Sequence, residues 1–369
     1  MRVAILGAGG TIAPAIVRDL AESAEVDELL LLDLDAARAR ANAEAHGGPR
    51  ARTASVDGSA GALAAALRGV DVLVSSASYR VNLDAMRACL EAGCHYVDLG
   101  GLYWLTGEQL ALDGQFRDAG VLALLGMGSS PGKTNVMAVR AVRELGGPPE
   151  RLDVLAAGRD LEPPAGISYP YSPRTLVDEL TLAPVALRDG DPVELEPLAD
   201  GGEVDFPAPI GRARTIYTLH SEIRTFPGAF GCREASFRLS LSPTVLERVR
   251  GLAGAGEAEI EAAARAAVPP SPQTVSVHMV EAERAGATVT LTAVTRPVES
   301  WGLGGGIVST AAPAAAAVRM LARGRIAARG ALAPESAVEP DELFPELERR
   351  NCTFHLSSSG VPTEASAIR

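Results

Sequence analysis

The stretch that decides the fold is residues 1–20, MRVAILGAGGTIAPAIVRDL. An apolar strand at residues 3–6 runs directly into a glycine-rich turn, and apolar side chains from Ile12 to Leu20 then recur at helical spacing. A strand that turns into a helix in this way leaves backbone N–H groups free at the helix N-terminus, where the helix dipole favours a pyrophosphate. These residues therefore predict the first unit of a dinucleotide-binding fold.

A second apolar strand, residues 29–32, ends at Asp33, roughly 20 residues past the glycine turn. A carboxylate at that place can hydrogen-bond the ribose hydroxyls of an adenosine. Strict G-x-G-x-x-G spacing fails because Ile12 stands where the third glycine would fall, but the looser G-x-x-G-x-x-G/A pattern begins at Gly7. A plain packing turn is the alternative, yet the strand, the helix, the second strand and Asp33 together favour a dinucleotide site.

The composition fits a cytoplasmic two-domain enzyme. A length of 369 residues usually corresponds to two domains, and a net charge of −12 argues against nucleic acid or an anionic membrane as partner. No apolar stretch approaches the ~18–20 residues that span a bilayer, and the start of the chain is typical of a strand rather than a leader peptide. The four cysteines lack metal-ligand spacing. We therefore expect a small-molecule substrate and no metal.

The order of elements predicts an α/β fold with two parts. Strands alternate with helices as far as residue 125, which predicts a doubly wound parallel sheet of about six strands with a helix at residues 108–118. Residues 161–209 are then rich in proline, glycine and acids, and strand-like runs follow, including a hairpin of residues 274–281 with 287–294. This second part is typical of an α+β domain.

Lys133 is the only lysine among 34 basic residues. It lies in GMGSSPGKTN, residues 126–135, after the last strand of the first domain, and it opens a helix. A lysine can lose its proton in a protein whereas an arginine cannot, and a helix N-terminus lowers the pKa of an amine. The GKT sequence resembles the end of a P-loop, but Met127 stands where the first glycine is required, which excludes that reading. A catalytic or substrate-binding Lys133 and an ordinary surface lysine both remain open.

A second candidate group lies in residues 217–227, YTLHSEIRTFP. If the strand continues through this stretch, His220 and Glu222 point to one face. An amine must lose its proton before a hydride can leave the adjacent carbon, and histidine is a suitable base near neutral pH. Glu222 would orient His220 or hold a substrate ammonium, and Arg224 or Arg233 would clamp a carboxylate. An exposed strand histidine is the alternative.

Four parts of the chain together resemble the saccharopine dehydrogenase family: residues 1–20, 70–82, 93–101 and 128–135, with sequences GCHYVDLGG and GSSPGKTN in the last two. Within that family the lysine 6-dehydrogenases are the most similar members, and the likeness extends to residues 324–335. The resemblance implies a Rossmann domain, a second α+β domain that binds substrate and forms a homodimer, and a late helix that returns to the first domain. NAD or NADP would serve as cofactor for oxidation or reduction of a C–N bond.

On this basis we divide the chain into a dinucleotide-binding domain, an α+β domain for substrate binding and dimerisation, a returning C-terminal helical segment and a disordered polar tail, at residues 1–130, 131–300, 301–350 and 357–369. The cofactor contacts that the resemblance implies are Gly7, Gly9, Gly10, Thr11 and Ile12 at the pyrophosphate, Asp33 and Leu34 at the ribose, Asp57 at the adenine, and Ser75, Ser76, Ala77 and Ser78 beside the nicotinamide. Asp98 either touches the cofactor or caps the next turn. Tyr79 and Tyr103 are further candidate substrate contacts.

Asp33 favours NAD, because a carboxylate repels the 2′-phosphate of NADP. Ser130 stands where saccharopine-forming relatives carry an acid, so the substrate stays open. The leading hypothesis is oxidative deamination of lysine at its side-chain amine, with His220 or Lys133 handling the proton. The alternatives are a reductase that joins an amine to an aldehyde or keto acid, as in saccharopine or carboxynorspermidine formation, and a non-catalytic redox sensor that binds NAD(P).

Overall fold

The computed structural model describes residues 1–361. The strands of this part of the chain are β1 (Arg2–Leu6), β2 (Glu28–Asp33), β3 (Ala51–Ser55), β4 (Val72–Ser75), β5 (His95–Asp98), β6 (Leu122–Leu124), β7 (Arg151–Asp160), β8 (Val185–Arg188), β9 (Asp191–Glu194), β10 (Asp200–Phe206), β11 (Gly211–Tyr217), β12 (Glu234–Ser240), β13 (Thr274–Arg284), β14 (Ala287–Thr295), β15 (Gly330–Leu332) and β16 (Cys352–Ser359).

The helices of the same residues are α1 (Ala13–Ala21), α2 (Ala36–Asn42), α3 (Ala60–Ala66), α4 (Asn82–Ala92), α5 (Leu102–Leu110), α6 (Asp113–Asp118), α7 (Lys133–Leu145), α8 (Pro173–Thr181), α9 (Glu222–Phe230), α10 (Pro243–Arg250), α11 (Glu257–Ala266), α12 (Gly305–Ala322) and α13 (Pro340–Glu348). The single helix expected at residues 108–118 is thus two helices, α5 and α6. Between the two helices the backbone N–H of Leu112 donates to the Gln109 carbonyl, three residues earlier, which closes a turn before α6 begins at Asp113.

The first sheet is parallel throughout and has the order β15-β6-β5-β4-β1-β2-β3. The predicted doubly wound Rossmann sheet is therefore confirmed. Its seventh strand, β15, comes from the C-terminal part of the chain and pairs with β6. The strand order reverses between β1 and β4, and ligands of such sheets bind in the crevice at that point.

The second sheet has nine strands, seven of them in the order β10-β11-β12-β7-β13-β14-β16, while β8 pairs with β12 and β9. The predicted hairpin is present as β13 and β14, which pair from Ser276 opposite Thr295 to Arg284 opposite Ala287. Strand β16 pairs with β14 through Ser359, so residues 357–359 are ordered rather than part of the expected disordered tail. The alternation of half-buried Phe354 and Leu356 with exposed neighbours places this strand at the sheet edge. Residues 362–369 lie outside the described residues.

Helix α12 joins the two parts of the molecule. It is long and apolar enough to cross a membrane by length and composition, a feature that the sequence analysis does not predict, but 78% of that window is buried inside the fold. It packs against α1 of the first domain, against α13, and against β13 and β14 of the second sheet. Its apolar character is therefore that of a core helix. The four cysteines are all free and buried.

Candidate active site

The glycine turn after β1 fits a pyrophosphate. Gly7 has φ +77°, and a Cβ there would lie 2.5 Å from the backbone nitrogen of Ala77, so only glycine allows the loops after β1 and β4 to meet. Helix α1 begins after Ile12 with no side-chain cap and no acidic residue in its first turn. The backbone N–H groups of Thr11, Ile12 and Ala13 have no hydrogen-bond partner among residues 1–361 and can receive a phosphate. Ile12 is buried in the core and does not fill the crevice, while Thr11 is exposed beside it.

Asp33 lies next to this turn at the carboxyl end of β2. One carboxylate oxygen accepts a hydrogen bond from the backbone N–H of Gly9 at 2.8 Å, and the other accepts from the backbone N–H of Asp35 at 2.8 Å. Leu34 beside it is 76% exposed. Asp57, on the loop after the edge strand β3, accepts from Ser59 and is exposed. The acids expected at the adenosine end therefore line one edge of the sheet.

The loop after β4 carries the serines expected beside the nicotinamide. Ser75 is buried and donates to the Asn82 side chain at 3.4 Å, and Ser78 accepts from the backbone N–H of Arg80. The hydroxyl of Ser76 is buried and has no hydrogen-bond partner among residues 1–361. A buried polar group without a partner marks a place where a ligand or water binds.

Asp98 holds three loops of the first domain together. Its carboxylate accepts from the backbone N–H groups of Gly100 at 3.0 Å and Gly126 at 2.5 Å. The remaining donors are three buried side chains, Asn82, Tyr96 and Gln109. Burial raises the pKa of Asp98, and these donors act against that rise. Of the two roles left open for Asp98, its contacts are those of a group that fixes turns.

His220 and Glu222 come together, but not on a strand. Strand β11 ends at Tyr217 and α9 begins at Glu222, so the two side chains meet across a short loop. The His220 ring stacks on Phe237 of β12, with ring centres 3.4 Å apart. Its Nδ1 lies 3.5 Å from a Glu222 oxygen, and its Nε2 lies 3.9 Å from an oxygen of Glu179 on α8. Burial alone lowers the pKa of His220, but the two carboxylates raise it above the ordinary value of 6.5.

Buried Glu179 and half-buried Glu335 extend this cluster. Tyr171 donates a hydrogen bond to Glu179, whose pKa is raised by burial and lowered in part by His220. Glu335, in the short turn Pro334–Ser336, accepts from the Asn135 side chain at 2.8 Å, and burial raises its pKa. We call Glu179, His220, Glu222 and Glu335 the acid cluster. Three of its polar atoms have no hydrogen-bond partner among the described residues: His220 Nε2, Glu222 Oε2 and Glu335 Oε1.

Sequence reasoning misses Glu179, Tyr171 and the placement of Glu335. Glu179 lies in the stretch expected to be irregular, although the spacing of Leu176, Val177 and Leu180 is that of the helix the structure contains. Only the three-dimensional fold brings Glu335, more than a hundred residues away from Glu222 in sequence, beside it.

Lys133 is buried rather than on the surface. Its ammonium group donates to Ser309 at 2.7 Å and to Thr295 at 3.3 Å, and neither partner belongs to the acid cluster. Burial lowers the pKa of Lys133. His278 of β13 stands near both Lys133 and His220, and burial together with those two groups holds the pKa of His278 well below its ordinary value. Lys133 thus belongs to a buried polar group with Thr295 and Ser309 that is separate from the acid cluster.

The four candidate substrate residues divide into two groups. Tyr79 donates to Asp178 of α8 at 2.6 Å, across the boundary between the domains. Arg224 of α9 is exposed, and its guanidinium lies 5.8 Å from the ring centre of Tyr103 on α5. Arg233 instead lies at the exposed start of β12, where it contacts Asp189. The structure therefore brings Tyr79, Tyr103 and Arg224 to the region between the domains and leaves Arg233 outside it.

Comparison with known proteins identifies the type of the first domain. Residues 3–124 match the family model described as the saccharopine dehydrogenase NADP binding domain. A carboxyaminopropylagmatine dehydrogenase from Synechocystis sp. is 26% identical over 270 residues, which cover 70% of this chain and 67% of that protein. The resemblance to the saccharopine dehydrogenase family is thus supported for the dinucleotide-binding domain, and NAD(P) is its cofactor. The finer likeness to lysine 6-dehydrogenases receives no support from these matches.

Solved structures show the same fold along the whole chain. Apo saccharopine dehydrogenase (L-Glu forming) from Saccharomyces cerevisiae has a TM-score of 0.71 at 16% identity, covering 97% of this chain and 100% of that chain. Homospermidine synthase from Legionella pneumophila, in complex with NAD, has a TM-score of 0.71 at 10% identity, covering 100% and 94%. The chain has the same fold as these two proteins along nearly its whole length.

Proposed function

We propose that this protein is an NAD(P)-dependent oxidoreductase that joins an amine to an aldehyde or keto acid by reducing the imine between them, and that catalyses the reverse oxidation. The observation that carries the proposal is His220 held between the carboxylates of Glu179 and Glu222 inside a buried cluster with unpartnered oxygens. The curated relative from Synechocystis sp. is named for a substituted agmatine, which is an amine. Its name supports the same substrate class.

The charge of the cluster selects a cation. Glu179 and Glu222 are buried, Glu335 is half-buried, and His220 lies within 3.9 Å of the first two carboxylates. Three carboxyl groups face one imidazole, and burial raises the pKa values of Glu179 and Glu335 because their ionised forms need a further counter-charge. A protonated amine supplies it, and the unpartnered oxygens of Glu222 and Glu335 would accept its N–H bonds.

His220 can handle the proton in both directions. Two carboxylates raise its pKa and so favour the imidazolium, which can donate the proton that lets water leave a carbinolamine. In the oxidative direction the neutral ring accepts the proton that the amine must lose. The bound nicotinamide supplies or accepts the hydride. Arg224 is exposed beside the buried Tyr103, and a guanidinium with no carboxylate partner among residues 1–361 suits the acid group of a keto acid or amino acid.

Oxidative deamination of lysine is the second candidate, because the same cluster would bind a side-chain ammonium. The two reactions differ in one measurable requirement. Reductive joining consumes NAD(P)H only when an amine and a carbonyl compound are both present, whereas deamination reduces NAD(P) with lysine alone. Absorbance at the nicotinamide band with a panel of diamines, agmatine and lysine, each with and without aldehydes and keto acids, separates them.

Replacement of His220 by glutamine tests the site itself. We expect His220→Gln to lower kcat by about 10²–10⁴-fold, the usual contribution of a general acid or base, while the Kd for NADH stays within about twofold. His355, exposed on β16, provides the matched control as His355→Gln. A His220→Gln enzyme with full activity would contradict the assignment, and a wild-type protein that binds NADH but turns over no amine would point to a binding protein.

The pH profile supplies an independent check. Since the protonated ring is the reductive catalyst, kcat/KM for reduction should fall as the pH rises through the raised pKa of His220. For the oxidation, which needs the neutral ring, kcat/KM should rise through the same pKa. Parallel profiles in the two directions would exclude His220 as the proton-transfer group.

A further inference from the structure

Two consecutive residues of α8 contact two different parts of the molecule. Asp178 accepts hydrogen bonds from the Tyr79 hydroxyl at 2.6 Å and from the Arg80 guanidinium at 3.0 Å, both in the first domain. Glu179 instead contacts Tyr171 and His220 in the acid cluster. Neighbouring side chains on a helix point about 100° apart. Helix α8 therefore bridges the first domain and the acid cluster.

The contact at Asp178 is balanced in charge. Arg174 of α8 donates to Asp178 at 3.0 Å, and the guanidinium groups of Arg174 and Arg80 both approach Glu257 of α11, at 2.9 Å and 3.6 Å. Two arginines thus face two carboxylates. Asp178 is almost fully buried in this network. Helix α8 also packs through apolar side chains on α10 and α11, and the backbone carbonyl of Glu179 accepts a hydrogen bond from the Leu219 N–H at 3.3 Å. Among residues 1–361 no other side-chain hydrogen bond or ion pair joins α8 to the first domain.

Tyr79 and Arg80 directly follow residues 75–78, the loop beside the expected nicotinamide site. A movement of that loop is therefore passed to Asp178 through two hydrogen bonds, and from Asp178 to Glu179 through one peptide unit of a rigid helix. We propose that Asp178 is a positioning residue that seats Glu179 against His220 when the loop of residues 75–80 is held by the bound dinucleotide. The amine subsite is then complete only after the cofactor has bound, which imposes an ordered sequence of cofactor first and amine second. The substrate class in this inference rests on the proposed function.

The seating of Glu179 has a signature in the titration of His220. The titratable groups that face His220 are Glu179 from α8, Glu222 from α9 and His278 from β13. Glu222 is fixed independently by the Thr134 hydroxyl at 2.9 Å and does not depend on Asp178. Withdrawal of Glu179 alone removes one of the two carboxylates that favour the imidazolium, so the pKa of His220 falls.

The test is a histidine NMR titration of the full chain, with and without NADH, in wild type and in Asp178→Asn. The His220 resonance is assigned by its loss in His220→Gln. We expect NADH to raise the pKa of His220 in wild type, and Asp178→Asn to lower it by about half a unit or more and to abolish the response to NADH. Tyr79→Phe, which removes one of the bonds and leaves Asp178 in place, should have the same effect with smaller size. Asp189→Asn, at an exposed turn, is the control.

The kinetic readout separates positioning from general destabilisation. In Asp178→Asn we expect the KM for the amine to rise about tenfold, with kcat and the Kd for NADH within about twofold of wild type. The inference would be overturned if the pKa of His220 were the same in Asp178→Asn and Tyr79→Phe as in wild type. It would also be overturned if NADH left the pKa of His220 in wild type unchanged. If no amine is turned over by wild type, the proposed function fails, and the titration still decides whether Asp178 seats Glu179.

Discussion

The carboxylate of Asp33 hydrogen-bonds the glycine turn, and the same carboxylate is expected to hydrogen-bond the ribose of the cofactor. Because one of its oxygens accepts from the Gly9 N–H, truncation of the side chain would loosen the turn as well as change cofactor choice. Asparagine separates the two effects, since its amide oxygen can still accept that bond while the charge is lost. The repulsion of a 2′-phosphate is the property that the charge confers.

We therefore expect Asp33→Asn to shift the ratio of the Kd values for NADPH and NADH toward NADPH by about tenfold, mostly through tighter NADPH binding. Fluorescence titration of both cofactors measures this ratio. Asp35→Asn is the matched control, because Asp35 caps α2 and asparagine caps a helix equally well. An unchanged ratio in Asp33→Asn would mean that Asp33 serves only the turn.

Lys133 has a measurable signature that distinguishes a core lysine from a catalytic one. Burial lowers its pKa, so the unfolded chain binds more protons than the folded chain and stability rises with pH over that range. Lys133→Met removes the cost of burying the amine, and we expect a variant about 1 kcal/mol more stable near pH 6, with the difference vanishing toward pH 10. Urea unfolding at several pH values measures it. A loss of kcat beyond about tenfold would instead assign Lys133 to catalysis.

The residues that sequence reasoning identifies are those whose role depends on close neighbours in sequence. Gly7 needs a positive φ and Asp33 ends a strand, and both follow from a local pattern. The pairing of His220 with Glu222 is also local, although a loop and a helix bring it about rather than the expected strand. Glu179 and Glu335 are brought to His220 and Glu222 only by tertiary packing, and no pattern within one segment encodes such a contact.

Among the elements, the loops after β4, β5 and β6 depend on one another through Asp98, which accepts from four buried donors and one half-buried donor. The loop after β5 is also strained, because Leu102 at the start of α5 has φ 58°, a conformation that costs about 1 kcal/mol or more for such a residue. A strained backbone persists only where its surroundings fix it. Asp98 supplies that fixation through Gly100.

Asp98→Ala should therefore lower the free energy of unfolding by about 3–5 kcal/mol, because several buried donors lose their acceptor at once. We also expect weaker NADH binding, since the loops after β4 and β5 flank the dinucleotide crevice. Asp71→Ala removes an exposed carboxylate whose one hydrogen bond within residues 1–361 comes from the Arg2 backbone, and it should cost less than about 1 kcal/mol. Equal losses in the two variants would contradict the role of Asp98.

The elements that sequence patterns predict are those with one clear period. The β13–β14 hairpin alternates cleanly, and the βαβ units of the first domain have buried strands flanked by amphipathic helices. Strand β7, at the centre of the second sheet, escapes prediction because both of its faces are covered and Ala156, Ala157 and Gly158 carry little hydrophobic signal. It is defined by pairing with β13, where its ten residues lie opposite partners more than a hundred residues away in sequence.

At the scale of the whole molecule, the C-terminal part of the chain, from α12 to β16, connects the two domains. It adds β15 to the first sheet and β16 to the second, and α12 passes between them. The fastening is polar as well as apolar: Arg319 of α12 donates to Asp19 of α1 at 2.8 Å and to Glu346 of α13 at 2.7 Å, and all three are buried. The ion pairs of Arg319 with Asp19 and Glu346 therefore help to hold the two domains in contact.

Removal of Arg319 leaves two buried carboxylates with fewer counter-charges, and we expect Arg319→Met to lower the free energy of unfolding by about 3 kcal/mol at pH 7. Burial alone raises the pKa of Glu346, but Arg319, Arg323 and Arg350 lower it below the ordinary value of 4.5. A carboxyl whose pKa is lowered by folding contributes stability above its unfolded pKa and loses it as the pH falls through the folded pKa. The difference between wild type and Arg319→Met should therefore shrink below about pH 4.5.

Arg349→Ala, which removes an exposed partner of Glu346, is the control and should cost less than about 1 kcal/mol. Urea unfolding between pH 3.5 and pH 7, conditions set by the unfolded carboxyl pKa, measures both variants. A difference that stays constant over this range would mean that Arg319 stabilises the domain contact by packing and not by charge.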